Sequence, residues 1–338
     1  MTETDMQYID GEWINGESTD EIVVRDPTVP DDPIVSFPGA SQEQAERAVK
    51  AADKASESWG QTTPAEREPI FYEVADRIEA NQEELAETLT REEGKPISSS
   101  RGEVARAAEI FRFFASYART ATGDTIPSND PETFTYTLRE PLGVVTIVTP
   151  WNFPIATPSW KLATALSTGN TVAFKPSSET PLIAKRLVEL LEESGLPDGV
   201  VNLVVGSGST VGDELTTNER VDGVSFTGST NTGQHIADKV ADRIPVQTEM
   251  GGKNPLVVLP DADLEAAADA AVAGAFGATG QACTATSRLI VHEEIADEVS
   301  EAVVDRAEAL SIGAGMDDPD MGPAVSEGED ESNFHYID

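Results

Sequence analysis

Gly143-Val144-Val145-Thr146-Ile147-Val148-Thr149-Pro150-Trp151-Asn152-Phe153-Pro154 opens on an unbroken apolar run and closes on a turn bracketed by prolines. A short β-branched run bounded by glycine and proline reads as a strand buried on both faces. Downstream the pattern recurs: strands over Thr171–Phe174, Val200–Val205 and Gly223–Phe226 are expected, with helices near Ser159–Thr168, Pro181–Ser194 and Thr210–Thr216 between them. Regular alternation of this kind predicts an α/β fold with right-handed crossovers and a doubly wound, parallel, Rossmann-like sheet. Ligands in such sheets bind at the carboxyl ends of the strands, which is where Asn152 falls.

Gly228-Ser229-Thr230-Asn231-Thr232-Gly233 joins a strand to a helix, a place where free N–H groups and the helix dipole suit a pyrophosphate. Gly206-Ser207-Gly208-Ser209-Thr210-Val211-Gly212 is closer to the dinucleotide fingerprint but one residue too long, and reads either as a turn lining a nucleotide cleft or as a tight connection. Past Glu249 a second unit is expected: strand Pro255–Val258, an Ala-rich helix Leu264–Ala278, strand Leu289–Val291 and helix Ile295–Leu310. Upstream, the chain reads as mostly helical. Ser41-Gln42-Glu43-Gln44 and Thr63-Pro64-Ala65-Glu66 have capping-box spacing, and Phe71, Val74, Ala75 and Ile78 form an apolar stripe for packing on a sheet. Another helix covers Ala105–Ala118. Thr133–Leu138 alternates with period two, as an exposed or paired strand does. The acidic end, Asp317–Asp338, has no lysine or arginine and reads as frayed.

Against 23 basic residues stand 61 acidic ones, a formal charge of −38 on 338 residues. That charge repels nucleic acid and anionic membranes, and its spread over every segment predicts a salt-requiring protein of a high-salt cytoplasm; the rival is an acidic mesophilic protein. The first residues have no basic end and no apolar run, so no secretory signal is expected, and no stretch is apolar enough to span a bilayer. A single cysteine precludes an intrachain disulfide and fits a reducing cytosol.

That cysteine, Cys283, lies in Gly280-Gln281-Ala282-Cys283-Thr284 after the Ala-rich helix, and is either core filler or a nucleophile. Upstream, Glu249-Met250-Gly251-Gly252-Lys253-Asn254 sets a carboxylate before two glycines, which let it face a cleft uncrowded. Its plain alternative is a solvated glutamate, as that of Asn152 is a turn residue. His235, His292 and His335 stand in no triad or metal spacing, so neither a Cys-His protease nor a metal site is expected.

Together these islands resemble the aldehyde dehydrogenase superfamily. Pro150-Trp151-Asn152-Phe153-Pro154, Lys175-Pro176-Ser177-Ser178, Phe226-Thr227-Gly228-Ser229-Thr230, Glu249-Met250-Gly251-Gly252-Lys253 and Gly280-Gln281-Ala282-Cys283 occur in that family's order and approximate spacing, and the likeness runs from about Asp10 to the last residues. It implies a division into 1–122, an N-terminal helical part of the cofactor-binding domain; 123–141, an oligomerisation hairpin; 142–250, the dinucleotide-binding domain; and 251–338, an incomplete α/β catalytic domain. It implies an aldehyde substrate, NAD or NADP, and a homo-oligomer. Cys283 would add to the aldehyde carbon, Asn152 would donate to the oxyanion, and Glu249, partly buried, would be the base that activates water against the thioester. Pro150, Trp151, Lys175, Ser177, Ser178, Gly228, Ser229 and Gly233 would bind the cofactor. Many NAD-preferring relatives carry glutamate where this chain has Ser178, which implies that NADP is tolerated, with Lys175 free to take the extra phosphate. The Gln281–Arg288 stretch is similar to the branch that oxidises 2,5-dioxopentanoate, where Arg288 either assists an acidic substrate or is structural. The family continues past the equivalent of residue 338 with a Glu-Ile-Phe-Gly-Pro segment that clamps the nicotinamide ribose and with further strands. A working dehydrogenase and a non-catalytic dinucleotide-binding remnant or subunit fragment are both open on this basis; a hydride-transferring alcohol dehydrogenase would not require the cysteine loop.

Overall fold

The computed structural model describes residues 4–120 and 122–331; His335 and the last part of the acidic end lie outside them. Four short strands come first: β1 (Gln7–Ile9), β2 (Glu12–Ile14), β3 (Glu21–Arg25) and β4 (Pro33–Pro38). Helices α1 (Gln42–Gln61), α2 (Pro64–Ala80), α3 (Gln82–Glu93) and α4 (Ile97–Tyr117) follow, then a small hairpin of β5 (Thr125–Ile126) and β6 (Thr135–Tyr136). The alternating section runs β7 (Val144–Val148), α5 (Ala156–Ser167), β8 (Thr171–Lys175), α6 (Pro181–Glu193), β9 (Val201–Leu203), α7 (Asp213–Thr217), β10 (Gly223–Gly228), α8 (Thr230–Val240) and β11 (Val246–Met250). A second unit has β12 (Asn254–Val258), α9 (Leu264–Phe276), β13 (Thr286–Val291) and α10 (Ala296–Glu308).

The main sheet has seven strands in the order β11-β10-β7-β8-β9-β1-β2, parallel from β11 to β9 and antiparallel at β1 and β2. Strand order reverses at β7, from which the chain winds out through β8 and β9 and returns to β10 on the other side. Side chains alternate across β7: Val145 and Ile147 join the core beneath α5 and α6, whereas Val144 and Val148 pack with α1, α7 and α8. The expected doubly wound parallel sheet is thus present. The opening portion is less helical than expected, because β1 to β4 precede α1 and two of them extend the sheet.

Both capping boxes form. Ser41 and Thr63 accept from the backbone N–H of Gln44 and Glu66, whose side chains bond back. The stripe Phe71, Val74, Ala75 and Ile78 is buried, but its principal neighbours are α4, α5 and α6, so α2 packs on helices in an outer layer. Among the described residues no helix is long and apolar enough to cross a membrane.

Helix α6 begins without a side-chain cap of its own. Its orphan N–H groups at Leu182 and Ile183 donate instead to the two carboxylate oxygens of Glu92 on α3, at 2.6 and 2.8 Å. Glu92 is fully enclosed, and burial pushes its carboxyl from 4.5 up to about 8 against the pull of those two bonds. A raised folded-state value favours the protonated form, so this contribution is complete below 4.5 and is lost as pH rises through about 8. Urea unfolding should therefore show stability falling between these limits, and Glu92→Gln should flatten that slope while lowering stability at the acid end; an unchanged slope would contradict the assignment.

Candidate active site

Every parallel strand of the main sheet ends on the same edge, and the loops leaving β7, β8 and β10 meet there. The loop after β7 holds Asn152 between Pro150 and Pro154, which fix two φ angles and offer no N–H. Asn152 is half-buried, and its amide Nδ2 donates to the Gln281 carbonyl at 2.8 Å. One amide proton is used in this bond and orients the other. Pro150 and Trp151 are half-buried in the same turn.

Helix α9 stops at Phe276, and Ala278, Thr279 and Gly280 then all take positive φ, of 51°, 59° and 70°. Two of these are not glycine, a conformation that costs about 1–2 kcal/mol per residue and turns the chain sharply. The reversal presents Gln281 to Cys283 toward the main sheet. Asn254 Nδ2 holds the loop from the second unit, donating to the carbonyls of Cys283 (2.6 Å) and Ala285 (3.1 Å). Val325 N–H donates to Gln281 Oε1 at 3.0 Å. Cys283 is exposed, which removes the core-filler reading. Arg288 donates to the Lys253 carbonyl and so has a structural use.

Glu249 sits near the end of β11, opposite Thr227 of β10. It lines a cavity of about 720 Å³ together with Cys283, between apolar walls that include Val145, Ile147 and Trp160. The structure therefore brings the acid and the thiol to one opening, and the Asn152 amide to the backbone beside that thiol. Glu249 was expected to be partly buried and is instead exposed, because β11 is the edge strand and no described residue covers it.

Sequence reasoning missed the polar row behind Glu249. Lys161 of α5, almost enclosed, donates to Ser225 Oγ (2.8 Å) and Gln247 Oε1 (3.3 Å), and Gln247 Nε2 donates to Glu249 Oε1 (3.0 Å). Desolvation lowers the Lys161 ammonium to about 8, with the Glu249 charge opposing the shift. Ser225 between Val224 and Phe226 on β10 was the available signal; Gln247 gave none.

A second cavity, of about 490 Å³, opens at the switch point and is lined by Val148, Lys175, Gly208, Gly212, Thr232 and neighbouring residues. Ser229 caps α8 by accepting from the Thr232 N–H, and the first turn of that helix faces the cavity. Gly233 lies where a Cβ would meet Met250 Sδ at 2.6 Å, so the small residue lets α8 close on β11. Gly228 ends β10 against the Phe226 ring. The Gly208–Gly212 stretch is a single wide helical turn capped by Ser207, and a side chain at Gly208 would enter open space. Lys175 Nζ donates to the Pro176 carbonyl (3.1 Å), and burial lowers it to about 8. Ser177 Oγ accepts from the Glu179 N–H (3.2 Å) and Ser178 Oγ donates to the Gly206 carbonyl (3.4 Å). Asp213, the carboxylate in this cavity, is engaged by Lys239 (2.8 Å) and His235 (3.2 Å).

Comparison with known proteins gives a consistent set of relatives. Residues 13–338 match the aldehyde dehydrogenase family. The chain is 44% identical to the alpha-ketoglutarate semialdehyde dehydrogenase of Haloferax volcanii, over 100% of this chain and 70% of that protein. It is 43% identical to the alpha-ketoglutaric semialdehyde dehydrogenase of Bacillus subtilis (99% and 69% covered) and 40% identical to the 2,5-dioxopentanoate dehydrogenase of Saccharolobus solfataricus (98% and 70%). Among solved structures, betaine aldehyde dehydrogenase of Staphylococcus aureus in complex with NAD+ superposes with a TM-score of 0.95 at 38% identity, over 99% of this chain and 67% of that one.

Proposed function

This chain belongs to the aldehyde dehydrogenase family, and on that premise we propose that it oxidises a semialdehyde of the 2,5-dioxopentanoate class to the acid, with Cys283 as nucleophile, Asn152 as oxyanion donor and Glu249 as base. One observation carries the assignment of roles: Glu249 and Cys283 line a single cavity while the Asn152 amide is bonded to the backbone beside the thiol. The substrate class is supported by three relatives of 40–44% identity whose names carry it.

The second cavity fits a dinucleotide. It combines a lysine at a strand end, the start of an eleven-residue helix and a glycine turn with open space above it. A bound NAD or NADP would supply the acceptor for the hydride that the aldehyde carbon loses as its adduct with sulfur becomes a thioester. Cys283 sulfur forms the bond to the aldehyde carbon, and the second Asn152 amide proton, with the Cys283 N–H, holds the charge left on oxygen. Glu249 then takes the proton of a water whose oxygen adds to the thioester carbon; the C–S bond breaks and the thiolate returns. In this reading residues 142–250 bind the dinucleotide and 251–338 contribute the thiol. The exposed Phe134, Tyr136 and Leu138 beside the β5–β6 hairpin suit subunit association, and the charge of −38 with one cysteine suits a reducing, high-salt cytosol.

Purified protein in molar potassium chloride, given 2,5-dioxopentanoate and NAD or NADP, should produce reduced cofactor. Cys283→Ala should abolish the signal, and Glu249→Gln should slow turnover by about 100-fold while leaving one rapid cycle of thioester formation. Cofactor binding with no turnover in the unmodified protein would favour the dinucleotide-binding remnant. Ser178→Glu should shift preference toward NAD by about tenfold or more, since a carboxylate there repels a 2′-phosphate; an unchanged ratio would place cofactor discrimination elsewhere. Thermal melting should rise with potassium chloride, and a melting point that falls would remove the salt requirement.

A further inference from the structure

We propose that Lys95 and Glu103 are positioning residues that fix the Asn152 amide for carbonyl addition, acting through the backbone of the loop between β7 and α5. The inference rests on the assignment of Asn152 as oxyanion donor. Both side chains are buried, at 2% and 4% exposure, and their charged atoms lie 2.7 Å apart. Each also grips the loop. Lys95 Nζ donates to the Asn152 carbonyl at 2.7 Å, and its ammonium lies 4.5 Å from the centroid of the Phe153 ring. The second oxygen of Glu103 accepts from the N–H groups of Ile155 and Ala156, both at 3.1 Å.

Those two N–H groups open α5, a helix with no side-chain cap of its own, so a carboxylate from α4 satisfies them in place of a local cap. The loop is therefore held at its middle by a cation and at its end by an anion that are themselves paired. From Asn152 the chain of contacts continues outward, because its side-chain amide bonds the Gln281 carbonyl two residues before the thiol. Backbone position, amide plane and thiol loop are thus connected through hydrogen bonds.

Stability alone does not explain the pair. Exchanging a buried ion pair for apolar groups of the same shape is often neutral or stabilising, so its use here points to geometry. Glu93 is enclosed beside it, 3.8 Å from the Lys95 ammonium, and burial pushes its carboxyl up to about 8; a proton held there leaves one anion to match one cation. From outside, the carbonyls of Gly94 and Lys95 are covered by Gly315 and Gly322, where a Cβ would come within 2.5 Å of the Lys95 oxygen and 2.0 Å of the Gly94 oxygen respectively. The mount has little room to shift.

Two reactions of the same thiol separate positioning from general support. With iodoacetamide, Cys283 sulfur displaces iodide at a saturated carbon and no oxyanion forms. With 4-nitrophenyl acetate, sulfur adds to the carbonyl carbon, the electron pair moves to oxygen, and collapse expels 4-nitrophenolate to leave an acetyl thioester. Only the second reaction calls on the Asn152 amide. The variant Lys95→Met/Glu103→Gln removes both charges at nearly constant shape and so strands neither, whereas Glu103→Gln alone keeps the shape and leaves the Lys95 ammonium without its charged partner. In the full chain, with folding followed by circular dichroism, both should slow the nitrophenolate burst, the double variant by about tenfold or more, with alkylation unchanged and in the pattern of Asn152→Ala. Equal losses in both reactions, or no loss in either while Asn152→Ala shows the split, would overturn the inference. Absence of the split in Asn152→Ala itself would instead remove the oxyanion assignment on which it rests.

Discussion

A parallel strand pair has to be covered on both faces, and most of this molecule follows from meeting that demand around β7. Helices α5 and α6 lie on one side, with α2 to α4 as an outer layer upon them; α1, α7 and α8 lie on the other. Because each crossover returns the chain to the same starting edge, every parallel strand also finishes on the same edge. Asn152, Lys175, Ser229 and Glu249 come from distant stretches and reach one rim for that reason. The β12–β13 pair is the counterexample within the same chain. Its helices α9 and α10 pack on each other and α9 packs on β13, yet Val257 and Ile290 stay exposed on the pair.

What could be read from the residues was whatever has a local cause. The apolar runs of β7 and β8 and the two capping boxes are local signals, and they appear where expected. The proposed site was marked in the same way, since a lone thiol and a carboxylate before paired glycines are unusual side by side with a strand-end asparagine. Strand β11 was not legible, because Val-Gln-Thr-Glu-Met has no alternation of apolar and polar residues to mark it, and its partner β10 supplies the pairing. The stripe on α2 announced a buried face without saying what would bury it. Glu249 was misjudged for the same reason: its exposure is decided by the neighbour an edge strand lacks. Glu92, Glu93, Lys95 and Glu103 carry no local mark of burial in sequence. Their burial depends on partners such as the Asn152 carbonyl, 57 positions away.

The charges fall into two populations that act differently. At the surface the scarce cations are shared: Arg112 meets Asp76 and Glu79, and Arg306 meets Glu265 and Asp269. Such exposed pairs contribute little and are screened by salt, so they offset little of the overall repulsion. Among the described residues the enclosed carboxyl groups of Glu103 and Glu92 are placed against backbone groups that regular structure leaves unpaired, at the start of α5 and of α6. The acidic exterior adjusts to its medium, while the enclosed polar groups set local geometry.

The antiparallel extension of the sheet bears on how the chain is made. Tyr8 pairs with Leu203, and Gln7 exchanges two hydrogen bonds with Val205, 198 positions further on. At ordinary synthesis rates the first strand emerges about 10–40 s before its partner exists. Meanwhile the buried side chains Met6 and Tyr8 have no place to dock. On the ribosome the first strands therefore wait for β9, and the main sheet cannot grow in the order in which the chain is made.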